Sequence, residues 1–287
     1  MGLSTPRRPI AVEELLPEVV PYRRMAVRLH PRAGEPGVRD SSVGGPPLWP
    51  ADEEWPVCPP GDPEGDPMVP VVQVFRRDVP QLPFPVGTDV LQVLWCACEH
   101  DHYSPRAVVR WRNSQVIGAV AARPPVPAGA EADHVPQPCV VHPEEVVEYP
   151  SWDLPEPADS AIRPRVDALF EETGWRYHYH LSYAPGIKLG GYPGWTQEPG
   201  WPDCGTCGAR MEHLLTVASW EWDGESWRTW LPVEERRSDD GPDFPRNEAA
   251  EAGHNPHGLM LGDAGGVYIF ECRACPGRPY AERFDCS

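Results

Sequence analysis

No stretch of this 287-residue chain approaches the roughly 20 consecutive apolar residues that cross a bilayer. Its opening residues, Met1-Gly2-Leu3-Ser4-Thr5-Pro6, lack the apolar core of a secretory signal, and position 6 is not the serine or threonine that supports myristoylation. A cytoplasmic protein is expected, its nine cysteines held as reduced thiols or metal ligands rather than disulfides. Basic residues are also short: 25 Lys and Arg face 43 Asp and Glu, for a formal net charge of -18. Such a charge repels phosphate backbones and anionic membranes, so the expected partner is a basic protein rather than a nucleic acid or a membrane. Catalytic signatures are missing as well, with no Gly-x-Ser-x-Gly elbow, no His-Glu-x-x-His and no dinucleotide fingerprint. Gly262-Asp263-Ala264-Gly265-Gly266 lacks the Lys-Ser/Thr and the helix start of a phosphate loop and reads as a tight turn before a strand.

What is present points to a folded protein built mostly from strands. Hydrophobic residues make up 40% of the chain and twelve residues are tryptophan, a composition foreign to disordered chains. The 39 prolines and 26 glycines cut helices short and favour strands joined by loops. The expected fold is α+β, mainly antiparallel β, with few short helices and long Pro-rich loops.

The chain also repeats itself. Val43-Gly44-Gly45-Pro46-Pro47-Leu48-Trp49 returns as Leu189-Gly190-Gly191-Tyr192-Pro193-Gly194-Trp195, an offset of 146 residues (44 to 190) that holds through Trp55-Pro56-Val57-Cys58 and Trp201-Pro202-Asp203-Cys204. From Met68 and Met211 the offset is 143, and each methionine precedes an apolar run, 69–74 and 212–217, with the length and composition of a buried strand. Leu91-Gln92-Val93-Leu94-Trp95-Cys96 matches Val267-Tyr268-Ile269-Phe270-Glu271-Cys272 across an insertion in the second copy. Residues 234–257 have no apolar periodicity and read as that insertion, a solvated, mobile loop. Upstream, 12–20 and 165–173 carry helical spacing, each ahead of an expected strand, 25–30 and 177–182. Two pseudo-symmetric repeats are therefore expected, 10–123 and 156–287, joined by a Pro-rich connection, 124–155. They should pack together as one unit, because either sheet alone leaves an apolar face uncovered.

Cys204-Gly205-Thr206-Cys207-Gly208 and Cys272-Arg273-Ala274-Cys275-Pro276 have the spacing and turn residues of two zinc knuckles. One lies before a strand and the other at a strand's end, so Cys204, Cys207, Cys272 and Cys275 are the expected ligands of one structural Zn2+ per chain. Four protein ligands leave no place for water, so such an ion stabilises and performs no chemistry; the rival is a redox pair or buried thiols. The first copy keeps Cys58 and Cys96 but has Gly61 opposite Cys207, and its site reads as decayed. A remnant of Cys58, Cys96, Cys98 and His100 or His102 competes with plain buried thiols, since 96, 98 and 100 share one side of a strand. Cys139 and Cys286 read as ordinary side chains.

His178-Tyr179-His180 places two imidazoles on one face of the expected strand, where acid/base or metal chemistry competes with a half-exposed strand. His254 and His257 are similar candidates at the edge of the insertion. Glu144-Glu145 and Glu171-Glu172 read as solvated faces. Trp49, Trp55, Trp195 and Trp201 either line a ligand groove or pack their Gly-Gly-x-Pro-x-Trp loops onto the sheets, and packing is expected.

The ordered set Gly190-Gly191-x-Pro193-x-Trp195, Cys204-x-x-Cys207, the strand around Leu214-Leu215-Thr216-Val217, and Tyr268-x-Phe270-x-Cys272-x-x-Cys275 resembles the YwqG-like bacterial family of unknown function. It is similar also to the eukaryotic programmed cell death protein 2 group, which shares the duplicated unit. That second likeness implies a chaperone of a ribosomal protein; the first implies no established activity, and neither carries over a catalytic residue. The leading expectation is a protein-binding module that shields a basic or aggregation-prone client through an acidic cleft between the repeats. The alternatives are an immunity-type inhibitor of a basic toxin, or an enzyme with an unrecognised site.

Overall fold

Short runs of β-branched and aliphatic residues, stopped by Pro, Gly and Asp, can bury themselves only by pairing side by side. The computed structural model, which describes residues 2–59, 65–98, 100, 105–237 and 247–286, has them doing so. In chain order the strands are β1 (Arg24–Arg28), β2 (Arg32–Ala33), β3 (Ser42–Val43), β4 (Val57–Cys58), β5 (Asp66–Pro67), β6 (Val69–Phe75) and β7 (Val90–Trp95). They continue as β8 (Ala107–Arg112), β9 (Cys139–Val140), β10 (Glu144–Glu148), β11 (Lys188–Gly190), β12 (Glu212–Ala218), β13 (Gly266–Glu271) and β14 (Tyr280–Asp285). Two six-stranded antiparallel sheets result, ordered β10-β1-β11-β12-β13-β14 and β2-β9-β3-β6-β7-β8, with β4-β5 as a separate ribbon. Helices are few and mostly short: α1 (Val12–Leu15), α2 (Ala158–Thr173), α3 (Trp227–Trp230) and α4 (Glu248–His254). The fold is α+β and mainly antiparallel β, as its proline and glycine content requires. None of the described helices is long and apolar enough to cross a membrane.

The strands β3-β6-β7-β8 and β11-β12-β13-β14 follow one register. Ser42 faces Gln73 as Lys188 faces Thr216, Val69 faces Trp95 as Glu212 faces Glu271, and Val90 faces Arg112 as Gly266 faces Asp285. Both second strands carry a bulge at the same place, between Pro70 and Val72 in one and between His213 and Leu215 in the other. Alternation then sorts side chains by face. Leu91, Val93 and Trp95 of β7 and Val267 and Ile269 of β13 enter one continuous core between the sheets, together with Val27, Leu29, Val71 and Leu215. The opposite faces carry matching clusters. Trp49, Cys58, Met68, Leu94 and Cys96 occupy one, and Trp195, Cys204, Met211, Phe270 and Cys272 the other.

Several sequence expectations are corrected. The first helical segment is α1 followed by a 3-10 turn, Pro17–Tyr22, because Pro17 interrupts it. The second is longer than expected and runs through Pro164 to end on Gly174, whose φ of 72° is left-handed. Residues Tyr177–Leu181 form a π turn, not a strand: Tyr177, His180 and Leu181 are the buried ones, a helical rather than alternating spacing. The described ends of the expected loop are ordered. Glu235 pairs with Arg32 through both carboxylate oxygens, and Asn247 caps α4, whose Ala250 packs with Trp222 and Trp227. Residues 238–246, Gly61 and His102 lie outside the described residues.

Strands also cross the ranges drawn from sequence. β1 pairs with β10 and β11, so a strand from the first range and one from the Pro-rich connection complete the second sheet. Glu148, at the end of β10, is wholly buried, and its carboxylate accepts hydrogen bonds from Lys188 Nζ at 2.7 Å and from the Ala184 and Tyr192 amides at 2.8 Å. Lys188 is the chain's single lysine and is equally buried. A Cβ at Gly191, where φ is +67°, would overlap the Glu148 carboxylate, so the Gly-Gly loop wraps the ion pair.

Candidate functional site

The four expected ligands come together. A tight turn after Trp201-Pro202 carries Cys204 and Cys207, closed by Gly208 N to Cys204 O at 2.8 Å with Gly208 at φ +70°. The turn after β13 carries Cys272 and Cys275, held by Cys272 N to Pro279 O and Arg278 N to Cys275 O. Cys204 Sγ lies 3.9 Å from Cys275 Sγ, Cys207 Sγ lies 3.6 Å from Cys272 Sγ, and all four sulfurs fall within 4.8 Å of one another. A disulfide would need about 2.05 Å. A tetrahedron of thiolates about 2.3 Å from a central ion has edges of about 3.8 Å, which the two spacings bracket. The Thr206 amide approaches Cys204 Sγ at 3.4 Å, and amide donation from Cys207 and Thr206 pulls the Cys204 thiol down to about 6. The adjoining Cys207 thiol pushes Cys275 up to about 12. The group can hold a metal ion, whose charge would take the place of the thiol protons.

In the first sheet the donor atoms of Cys58, Cys96 and His100 also lie within 4.8 Å of one another. Cys98 is beside them, its thiol 3.3 Å from Asp66 Oδ2. Cys139 is buried with its thiol donating to Pro256 O, and Cys286 is half-buried.

The histidines do not form a shared catalytic face. His180 is buried, accepting from the Arg176 amide at Nδ1 and donating from Nε2 to Glu225 O, and burial lowers its pKa. His178 stacks on Trp152 with ring centroids 3.6 Å apart, its Nδ1 2.9 Å from Ser151 Oγ, and burial brings it down to about 4. His257 is fully buried, which brings it down to about 3, and His254 packs beside Trp220. All four rings are neutral near pH 7.

Sequence reasoning missed a cavity of about 770 Å³ on the outer face of the second sheet. Its walls are aromatic, with Trp152, Tyr183, Trp195, Trp220, Trp222 and Tyr268, and Asp223 and the exposed Glu198 stand on its lining. Behind Gly186, where a Cβ would meet Glu221 Oε2 at 2.7 Å, lies a buried carboxyl that burial raises to about 6. The cavity exists because of four small residues. Gly194, Thr216, Ala218 and Gly266 line it, whereas the first copy holds Leu48 at the sequence position matching Gly194 and Gln73, Phe75 and Val90 at the register positions matching the other three, all buried. There Leu48, Phe75 and Val90 pack with Ile117, and Gln73 and Gln92 bond the Leu48 backbone. Comparing the two copies residue by residue for side-chain size was the available signal. A smaller cleft of about 340 Å³ brings Leu82 and Pro83 against the second sheet and carries Arg24 and Arg273 beside Glu212.

The Gly-Gly-x-Pro-x-Trp loops pack onto the sheets. Trp49 is fully buried beside Trp55, and Trp195, 4% exposed, meets Tyr268 at 4.8 Å and Phe270 at 6.0 Å between ring centroids. Trp195 is also a cavity wall. Trp195→Ala is expected to cost about 3 kcal/mol in urea unfolding, typical of truncating a large buried ring; unchanged stability with lost ligand binding would make the loop a recognition surface alone.

The chain belongs to the family described as Domain of unknown function (DUF1963), which matches residues 41–270. No curated protein matches it.

Proposed function

We propose that this member of the family is a zinc-stabilised, cytosolic protein-binding module whose aromatic cavity receives a basic side chain of its partner. A chaperone or sequestering partner for a basic, aggregation-prone protein is the role that fits, and the likeness to the YwqG-like and programmed cell death protein 2 groups belongs to this reading. Two units derived from one ancestor account for the shared register. Zinc is the metal that suits four thiolates, and a closed four-sulfur shell supports the fold without reacting.

The observation that carries the binding role is the exchange of four large residues for four small ones at matched positions. A feature needed only to close each sheet would persist in both, whereas these four positions are small in the second sheet and filled in the first, where an opening of about 820 Å³ is walled instead by Pro50, Asp52, Glu53, Arg112 and Ile117. Aromatic faces attract cations by about 0.5–2 kcal/mol each. Asp223 and Glu198 add local charge, and the net charge of -18 steers basic partners from a distance.

The test returns the second cavity to the state of the first. Ala218→Phe, the residue at the matched position in β6, should leave the melting temperature within a few degrees of wild type. It should also weaken binding of a fluorescent Arg/Lys-rich peptide by roughly tenfold or more, a loss of about 1.4 kcal/mol. Wild-type binding should fall with added salt, and an acidic peptide should not bind. Equal affinity of wild type and Ala218→Phe, or no preference for the basic peptide, overturns the proposal. Should one basic protein alone bind with high affinity, the inhibitor role replaces the chaperone role.

A further inference from the structure

Cys58 and Cys96 occupy in the first sheet the places of Cys204 and Cys272 in the second. Met68 N bonds Pro56 O as Met211 N bonds Pro202 O, and Cys96 N bonds Arg106 O as Cys272 N bonds Pro279 O. One thiol thus ends the ribbon strand β4 and the other follows β7, and both are nearly inaccessible, at 4% and 2% exposure. What differs is the second half of each knuckle. The segment after β7 reads Cys96-Ala97-Cys98-Glu99-His100 instead of Cys-x-x-Cys. His100 Nε2 stands 3.4 Å from Cys58 Sγ, and with Cys96 Sγ the three donor atoms lie within 4.8 Å of one another.

We infer that the first sheet holds a second metal site, in which the Cys58 and Cys96 thiolates and the His100 imidazole bind a divalent ion of the zinc class. Two sulfurs and one imidazole are ligands that such an ion accepts in tetrahedral sites. Two thiolates balance its charge, so a neutral centre can sit against Trp49, Met68 and Leu94, whereas the four-thiolate centre retains two negative charges. The two sites therefore differ in charge as well as in ligands. The Cys98 thiol, bonded to Asp66, stands outside the three-donor set.

Metal content of the reduced full-length chain, loaded with excess Zn2+ and then desalted, distinguishes two sites from one. Two ions per chain are expected. His100→Ala, which alters a half-buried side chain outside the sheet, should retain one ion and the wild-type circular dichroism; Cys58→Ser should likewise retain one. Loading with Co2+ gives a second readout. A mixed sulfur and nitrogen set absorbs at shorter visible wavelength than four sulfurs, so His100→Ala should remove the short-wavelength bands alone. One ion in the wild type, or two in His100→Ala with an unchanged cobalt spectrum, overturns the assignment.

Discussion

Stripping metal from the reduced protein with a strong chelator, or replacing Cys204 by serine, is expected to lower the midpoint of thermal unfolding by roughly 10 °C or more. The reason lies in what the four sulfurs tie together. Cys204 and Cys207 sit in the turn before β12 and Cys272 and Cys275 in the turn after β13, about 70 residues apart, and no disulfide joins them. Without the ion, four thiols crowd at 3.6–3.9 Å beside Trp195, Met211 and Phe270 with only weak S–H bonds between them. Arg273 is the control position. Its half-exposed guanidinium bridges the exposed Glu212 and the buried Glu271, which keeps Arg278 as a second partner, so Arg273→Ala should leave metal content unchanged and move the midpoint by a few degrees at most. Calorimetry with metal analysis decides the matter; a metal-free protein that melts with the loaded one removes the structural role.

Lys188→Met should destabilise the protein by about 3–5 kcal/mol, because it removes the cationic partner of the wholly buried Glu148 carboxylate and leaves it only the Ala184 and Tyr192 amides. Burial lowers the Lys188 pKa and Glu148 opposes that shift, so the pair stands only as a pair. The double variant Lys188→Met/Glu148→Gln should recover part of the loss, since a glutamine carbonyl can still accept from the Ala184 or Tyr192 amide. Urea unfolding of the wild type and the variants measures this directly. A single substitution costing under about 1 kcal/mol would mean that solvent reaches Glu148.

Much of this was legible in the sequence because it depends on order along the chain. Gly44 and Gly190, Met68 and Met211, and Cys96 and Cys272 are matched by spacing alone, and spacing sets strand register. The four thiols were legible for the same reason, since each knuckle is local and each sits at a strand end. What stayed hidden depends on neighbours distant in sequence. Lys188 between Ile187 and Leu189 gives no sign of its partner, because Glu148 arrives from the Pro-rich connection. His178-Tyr179-His180 alternates like a strand in composition, yet Tyr177 OH bonding Pro150 O and the Arg176 amide bonding His180 Nδ1 hold it as a π turn. The cavity is subtler still, a difference between two copies rather than a motif in either.

The buried pair has a chemical consequence. Every reaction that selects for lysine side chains, whether acylation, methylation or attachment of another protein through an isopeptide bond, finds a single ε-amine among these 287 residues, and the folded chain encloses it beneath the Gly-Gly loop. An amine reagent can reach that nitrogen only when the structure around it opens, whether the Gly-Gly loop lifts from Glu148 or β10 parts from β1. The rate at which Lys188 is labelled therefore reports how often this molecule opens at its centre.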